Sequence, residues 1–283
     1  MDNIKKIMHI STYNFKKWAI NPRIYVIFTM AFLYVHSILK PITVFCEKSG
    51  YDISLYIFPF IMSHPNSVLL IMFGFTLLLC DAPFIDINQP YIMMRSGRKL
   101  WVVGHILYII FASILYSIVV MLFSIISLTP YIEIGLNWGK VINTFAQTTV
   151  AQQHNISIPF SFTICNDYSP CEALLLTIIN CSMVATFLGL LIFSLNFIVS
   201  RFAGILGAAI LILWQVVVRQ TWTGFTKFSP VTWVSLAQVD TTGSTLYPTL
   251  LYIYIVLLCL IAMLSFISIL AVKRCDITVL KTV

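Results

Sequence analysis

Long uninterrupted runs of apolar residues dominate the chain, and polar residues collect between them. Most of these runs reach the roughly 20 residues that a helix needs to cross about 30 Å of hydrocarbon. They predict six membrane-spanning helices, at residues 24–39, 61–80, 100–128, 173–200, 202–218 and 248–272. The second run carries His64, Pro65 and Asn66 near its start, and only Arg201 divides the fourth from the fifth.

A different pattern, with a helical period of 3.6 residues, precedes the first run. On a helix over residues 4–20, one face carries Ile4, Ile7, Met8, Ser11, Phe15, Trp18 and Ala19, and the opposite face carries Lys5, Lys6, His9, Lys16 and Lys17. This pattern predicts a basic amphipathic helix on the membrane surface, with a frayed basic tail as the alternative. The sequence Asn21-Pro22-Arg23 ends it, because a residue before proline is driven out of the α region.

The composition supports lipid as the solvent for much of the chain. Hydrophobic residues make up 59% and charged residues 10%, against about 45–50% and about 25% in soluble domains. A soluble globule is therefore excluded. We predict one transmembrane domain over residues 1–283, comprising an amphipathic helix (1–23), a six-helix membrane domain (24–272) and a tail (273–283).

The charges predict the orientation of that domain. With six spans, 12 of the 17 Lys and Arg residues fall on the side of the termini, whereas the 10 Asp and Glu residues divide four to six. Cytoplasmic loops carry the excess of Lys and Arg, so both termini are predicted to be cytoplasmic. The net charge of +7 is then a topology signal and gives no reason to expect nucleic acid as a partner.

The predicted inward loop over residues 81–99 carries the candidate partner site. Its prolines and glycine oppose a continuous helix, yet its apolar side chains are too many for a solvated hairpin. One interpretation is a short helix that docks into a cytoplasmic partner, and the other is an ordinary interfacial loop with a basic cluster.

The long outer connection over residues 129–172 contains Cys165 and Cys171, six residues apart. On an oxidising outer face they can form a disulfide, and two free thiols are the equal alternative. Asn155 begins an Asn-Ile-Ser triplet, which is a weak match to a glycosylation acceptor.

Two features of the last spans concern packing. Gly204 and Ala208 lie four residues apart in the fifth span, with Gly207 next to Ala208, and this spacing of small residues lets a neighbouring helix approach closely. The aromatic loop over residues 219–247 is too polar to span and too aromatic for water, which favours a re-entrant hairpin over a plain interfacial loop.

The chain has no sequence motif for catalysis or for a cofactor. It contains no phosphate-binding glycine-lysine loop, no paired histidines at metal-binding spacing and no nucleophile elbow. His36, Lys40 and His105 lie near span ends, where each can reach an interface, so a proton relay is disfavoured. We therefore expect no enzyme, no resident cofactor and no ATPase activity in this chain.

The whole arrangement resembles the membrane-spanning subunits of type-2 ABC transporters, export-type permeases that are separate polypeptides in many bacteria. The resemblance rests on the basic helix at 4–20, the Asn21-Pro22-Arg23 turn, the six spans and the 81–99 loop. The aromatic stretch from Trp222 to Trp233 matches the family's re-entrant outer helices. The long 129–172 connection departs from the family, whose members often keep it short.

The resemblance implies an all-α permease in the cell membrane that forms a dimer with a second copy or a related permease. A separate cytoplasmic ABC ATPase would drive it by binding a coupling helix in the 81–99 loop, and the cargo would be an amphipathic peptide, drug or lipid. The resemblance implies that the candidate docking residues in this loop are Phe84, Asp86, Tyr91, Arg95 and Arg98. Two other classes of function also fit the sequence. A polytopic accessory or scaffold protein would move nothing, and a membrane-embedded enzyme would need converging polar residues within the bilayer.

Overall fold

The structure, a computed structural model, describes residues 2–84, 88–200, 202–221, 223–241, 243 and 245–274. Across these ranges the chain is almost entirely helical. In order, its α-helices are α1 (Asp2–Lys16), α2 (Pro22–Ser49), α3 (Phe58–Ile61), α4 (Pro65–Leu78), α5 (Gln89–Ser96), α6 (Arg98–Leu128), α7 (Gly139–Gln147), α8 (Val150–Gln153), α9 (Phe162–Asp167), α10 (Pro170–Ile198), α11 (Ala203–Thr221) and α12 (Leu250–Arg274). Two parallel two-residue strands, β1 (Ile53–Ser54) and β2 (Ile132–Glu133), pair with each other.

Five of these helices are long and apolar enough to cross a membrane: α2, α6, α10, α11 and α12. They correspond to the first, third, fourth, fifth and sixth predicted spans. The chain is thus an all-α protein whose helices indicate a multi-pass membrane protein, as the apolar runs predicted.

The second predicted span is shorter than expected. Its helix α4 begins at Pro65, not at Ile61, and has 14 residues, which is about 21 Å and less than the hydrocarbon thickness. Residues Phe58–Ile61 form the separate helix α3, and the break lies at His64, which is in an extended conformation before Pro65. The physical reason is the proline, which starts a helix well but drives the residue before it out of the α region.

Helix α4 nevertheless joins the two ends of the bundle. At one end Arg23, in the first turn of α2, forms an ion pair with Asp81 after α4, with Nη1 to Oδ2 at 2.6 Å. At the other end Arg219 of α11 donates from Nη1 to the carbonyl of Ser63, 2.9 Å away. We call the end with Arg23 and Asp81 the basic end, and the end with Ser63 and Arg219 the opposite end.

Helix α2 is longer than the predicted first span and continues through Pro41 to Ser49. The predicted end of the first span at residue 39 therefore falls inside a continuous helix. Proline removes one backbone hydrogen bond, and transmembrane helices tolerate this loss where neighbours pack around them. The start of α2 follows the sequence closely, because the Asn21 side chain accepts a hydrogen bond from Arg23 N at 3.1 Å and Pro22 occupies the first turn.

Helix α10 forms the centre of the bundle. It packs on α4, α6, α11 and α12, and 67% of its most apolar window is buried, against 22–39% for the other spanning helices. The outer surfaces of those other helices remain apolar and uncovered, as expected for side chains that contact lipid.

Helix α1 packs across the first turns of α6. Its buried residues are Ile10, Ser11 and Asn14, and Ile10 fills the space left by Gly104, whose absent Cβ would lie 2.7 Å from Ile10 Cγ2. The predicted apolar face is only partly buried, because Ile4 and Met8 stay exposed. The predicted helix is therefore present. Part of its buried face packs against α6, a contact that the periodicity of the sequence did not indicate.

Short helices close the opposite end of the bundle. Helices α7, α8 and α9 and the β1–β2 pair build a cap around the aromatic rings of Phe60, Trp138 and Phe145. Beside the cap, 3-10 helices at Thr223–Phe228, Pro230–Val234 and Leu236–Gln238 bury Trp233 against α10 and α12. This segment enters the bundle, as the re-entrant alternative requires, although Trp222 lies outside the described residues.

Candidate partner-docking site

Helix α5 lies at the basic end, with one of its sides packed against the bundle and the other side exposed. Gln89 is 1% and Met93 6% exposed, whereas Tyr91 and Met94 are 67% and 64% exposed and Arg95 is also exposed. Its register thus buries positions four residues apart, as one face of a helix must. The result is a short amphipathic helix with an aromatic, apolar and cationic outer face.

A chain of buried hydrogen bonds holds α5 in place. Trp101 Nε1 of α6 donates to Gln89 Oε1 at 2.6 Å, and Gln89 Nε2 donates to Asn14 Oδ1 of α1 at 3.4 Å. Asn14 Nδ2 in turn donates to His105 Nδ1 of α6 at 3.0 Å. The buried polar atoms of Asn14, Gln89 and Trp101 thus have partners, and three helices are joined as one unit.

His105 corrects one sequence prediction. It was expected near an interface, yet its side chain is fully buried between aromatic rings. The ring of Trp101 lies 4.3 Å from it edge-on, and those of Phe84 and Phe193 stack at 5.9 and 5.8 Å. The imidazole therefore belongs to the hydrogen-bond chain and the core of the basic end.

The candidate docking residues occupy different positions. Phe84 turns inward, where its ring meets His105 and Tyr108, and its carbonyl accepts a hydrogen bond from Lys17 Nζ at 3.2 Å. Tyr91 and Arg95 lie on the exposed face of α5. Arg98 is half-buried in the first turn of α6, and Asp86 lies outside the described residues. The structure thus brings Tyr91 and Arg95 together on one surface and directs Phe84 away from it.

A second set of contacts joins the turn after α4 to the bundle. Asn196 of α10 donates from Nδ2 to the carbonyl of Ala82 at 2.8 Å, and its Oδ1 accepts from Gly204 N at 2.9 Å. One amide thereby fixes both the turn before α5 and the first turn of α11. The backbones are close here, because a Cβ on Gly204 would lie 2.5 Å from the carbonyl oxygen of Ile192.

Gly207 and Ala208, the other small residues of the predicted packing stripe, also lie against neighbours. A Cβ on Gly207 would lie 2.9 Å from Leu195 Cδ1 of α10, and Ala208 is fully buried. The neighbouring helix that approaches this stripe is α10 of the same chain.

Cys165 and Cys171 are free thiols in this structure. Cys165 lies in α9 and is half-buried, and burial raises its pKa to about 11. Cys171 is exposed in the first turn of α10. Of the two alternatives left open by the sequence, the structure contains the unpaired one.

Sequence reasoning missed the residues that form the hydrogen-bond chain, namely Asn14, Gln89 and Trp101, and it also missed Asn196. Asn14, Trp101 and Asn196 are polar or amphipathic side chains at positions where the local pattern calls for an apolar one, whereas Gln89 lies in a polar loop that gave no signal. Asn196, within an otherwise apolar run, was the clearest available signal. Among the described residues, no cluster of three His, Cys, Asp or Glu side chains could hold a metal ion.

No protein-family model, no curated protein and no solved structure matches this chain.

Proposed function

We propose that this chain is the permease subunit of an ATP-driven exporter of the type-2 ABC kind, in which a separate cytoplasmic ATPase docks on α5. The observation that carries the proposal is the exposed Tyr91, Met94 and Arg95 face of α5, on a helix fixed to α1 and α6 by buried hydrogen bonds. A short helix of this kind offers a partner both an apolar contact and a cation.

The charge distribution supports a cytoplasmic location for α5. With α4 counted as a crossing, because its two ends contact opposite ends of the bundle, the basic end carries the excess of Lys and Arg. Both termini would then lie in the cytoplasm of a cell whose plasma membrane holds the protein. The shortness of α4 is accommodated by α3 and the turn at His64, which extend its path.

The contacts suggest how force on α5 would reach the spanning helices. Only Gly97 separates α5 from α6, and the hydrogen-bond chain adds a side-chain link between them. The preceding turn is held by Asn196 of α10, which also contacts the start of α11. Movement of α5 toward a second copy would therefore displace α6, α10 and α11 together.

In this mechanism two copies, or this chain with a related permease, line a path for an amphipathic cargo. ATP closes the ATPase pair, the two α5 helices approach, and the path opens to the outside. ATP can do work on the cargo only if the inward-open and outward-open states bind it with different affinities.

Copurification tests the proposal. The full chain is purified from cells that express the cognate ATPase, and the amount of ATPase retained and its turnover are measured. Arg95→Glu should reduce retention at least about tenfold, because it opposes a charge at a contact surface. Lys140→Glu makes the same charge change on an exposed residue at the opposite end and serves as the control.

Tyr91→Ala should also weaken retention, because aromatic anchors carry much of the binding energy at protein interfaces. Equal retention by wild type, Arg95→Glu and Tyr91→Ala would refute docking on α5. Failure of any ATPase to copurify, with no ATP-dependent flux in vesicles, would favour the accessory or scaffold function instead.

A further inference from the structure

Two adjoining cavities follow α2 at the opposite end of the bundle. The upper cavity, about 370 Å³, lies between α2 and the turn after α8, and the lower cavity, about 540 Å³, lies between α2 and α4. They share Ser37 and Pro41 in their walls, so they form one continuous groove, which we call the α2 groove.

The upper half of the α2 groove is cationic. Lys40 and Lys48 line it from α2, and His154 lines it from the turn after α8. Residues 40 and 48 lie two turns apart with Val44 between them, so the two lysines follow one side of the helix. The amides of Gln153 and Asn155 complete the wall, and no carboxylate of the described residues lines this cavity.

The lower half is more apolar. Ile38, Leu69 and Leu70 line it, and Leu70 is 46% exposed, so the groove is open to the side of the bundle. The Tyr34 hydroxyl lies in the same wall and is hydrogen-bonded to Ser67 Oγ at 3.0 Å. This polar atom is therefore already satisfied within the protein. Ser37, His64, Asn66 and Ser157 also line the lower cavity, so the surface suited to hydrocarbon is the part formed by Ile38, Leu69 and Leu70.

The position of the groove along α2 matches the layers of a bilayer. Lys40 lies about 27 Å along the helix from Pro22, and Lys48 lies about 39 Å along it. With a hydrocarbon core of about 30 Å beginning near the start of α2, the lysines reach headgroup level and Tyr34 to Ile38 lie below it. Long cationic side chains near a helix end extend to that interface.

We propose that the α2 groove binds an anionic amphiphile. Its phosphate or carboxylate group contacts Lys40, Lys48 and His154, and its hydrocarbon chain lies along Ile38, Leu69 and Leu70. The change from cationic to apolar along a single helix, at the depth where headgroup meets chain, selects a molecule with both parts. The inference concerns binding alone and does not depend on docking of an ATPase.

Lipid binding to the purified full chain tests this inference. Native mass spectrometry compares phosphatidylglycerol, phosphatidylcholine with the same acyl chains, and glycerol phosphate as the headgroup alone. Phosphatidylglycerol should bind more tightly than either of the other two. The variant Lys40→Gln/Lys48→Gln should lose about 30-fold in affinity for phosphatidylglycerol, because each lysine near an anionic headgroup contributes about fivefold.

Lys140→Gln removes one exposed cation at the same end but outside the groove, and it should bind phosphatidylglycerol like the wild type. Leu69→Trp fills the lower half, and it should weaken phosphatidylglycerol while leaving the weak binding of glycerol phosphate unchanged. All variants are first compared with the wild type by size-exclusion chromatography, and ATPase retention should be unaffected by the lysine changes.

The source of the amphiphile is decided in the same experiment. Preference for two-chain phosphatidylglycerol over a single-chain fatty acid supports a bilayer lipid in the groove, and the reverse preference supports a transported amphiphile. Equal binding of phosphatidylglycerol and phosphatidylcholine would overturn the inference, as would equal losses in Lys40→Gln/Lys48→Gln and Lys140→Gln. Glycerol phosphate that binds as tightly as phosphatidylglycerol would overturn the role of the lower half.

Discussion

Gly204→Ala tests how closely α11 approaches α10 at the basic end. An added Cβ would lie 2.5 Å from Asn196 Oδ1, 2.5 Å from the carbonyl oxygen of Ile192 and 2.7 Å from Ile192 Cα. Carbon atoms in good contact are about 3.5–4.0 Å apart. Two of the three clashes involve the backbone of α10, which cannot rotate away as a side chain can. The start of α11 must therefore move outward by about 1 Å to restore ordinary contact distances.

The cost follows from what that movement breaks. Overpacking of a well-packed interior costs about 1–3 kcal/mol. The Gly204 N to Asn196 Oδ1 hydrogen bond contributes about 0.5–1.5 kcal/mol, and the higher helix propensity of alanine offsets up to about 1 kcal/mol. The expected loss in free energy of unfolding is about 1–3 kcal/mol. At about 2–4 °C for each kcal/mol, the melting temperature should fall by about 3–10 °C.

A thiol-reactive dye monitors the transition after the exposed thiols of Cys171 and Cys259 have been blocked in the folded protein, because Cys181 is fully buried and reacts only when the bundle opens. Gly135→Ala is the control, since nothing lies within 4 Å of a Cβ at that position. The double variant Asn196→Ala/Gly204→Ala should not recover stability, because both backbone clashes with Ile192 remain. Melting temperatures for Gly204→Ala and Gly135→Ala that agree within about 1 °C would refute the close approach.

Three other outcomes are expected. Gln89→Leu removes the hydrogen-bond partner of Trp101 Nε1 and of Asn14 Oδ1, both buried. It should lower the free energy of unfolding by about 2–3 kcal/mol in thermal melts, whereas Gln152→Leu, at an exposed position, should not. A double-mutant cycle on Arg23 and Asp81 should give a coupling below about 1 kcal/mol, because both side chains are about 40% exposed, and a coupling above about 2 kcal/mol would contradict this. Maleimide modification of Cys165, followed by peptide mass spectrometry, should accelerate about tenfold per pH unit from pH 7 to 10, because its pKa of about 11 keeps the thiolate scarce. A rate that stops rising at about pH 9 would show that the thiol has an ordinary pKa and is not buried as described.

The basic end explains why one short helix can be both exposed and rigid. Helix α5 has only eight residues and would be unstable in isolation. Buried hydrogen bonds from Gln89 and the buried side chain of Met93 hold it against α1 and α6. Its outer face is thereby left available without loss of position, which is the property that a docking helix needs.

The amino-acid sequence determined the helical membrane class and the approximate position of each long helix. Apolar runs of sufficient length are decisive, because in hydrocarbon a helix satisfies every backbone polar group. Local chemistry also fixed certain boundaries. Asn21 and Pro22 begin α2, and Gly50 ends it with a left-handed conformation that glycine adopts readily.

The tertiary structure decided which face of each helix lies against protein. A side chain that contacts lipid and one that contacts another helix are both apolar. The 3.6-residue hydrophobic period, which marks the buried face of a helix in a soluble protein, is therefore weak here. This is why the packing of Ile10 on Gly104, the burial of His105 and the meeting of Gln89 with Asn14 were not predicted.

Two predicted helix boundaries differ from the structure, namely the end of the first span at residue 39 and the start of the second at residue 61. Proline at position 41 continues a helix and proline at position 65 begins one, although the same residue type occurs in both. The difference comes from the surroundings, since packing around α2 compensates for a lost backbone hydrogen bond, whereas the chain before α4 turns into the cap. Such compensation depends on residues distant in sequence, and only the folded arrangement brings them together.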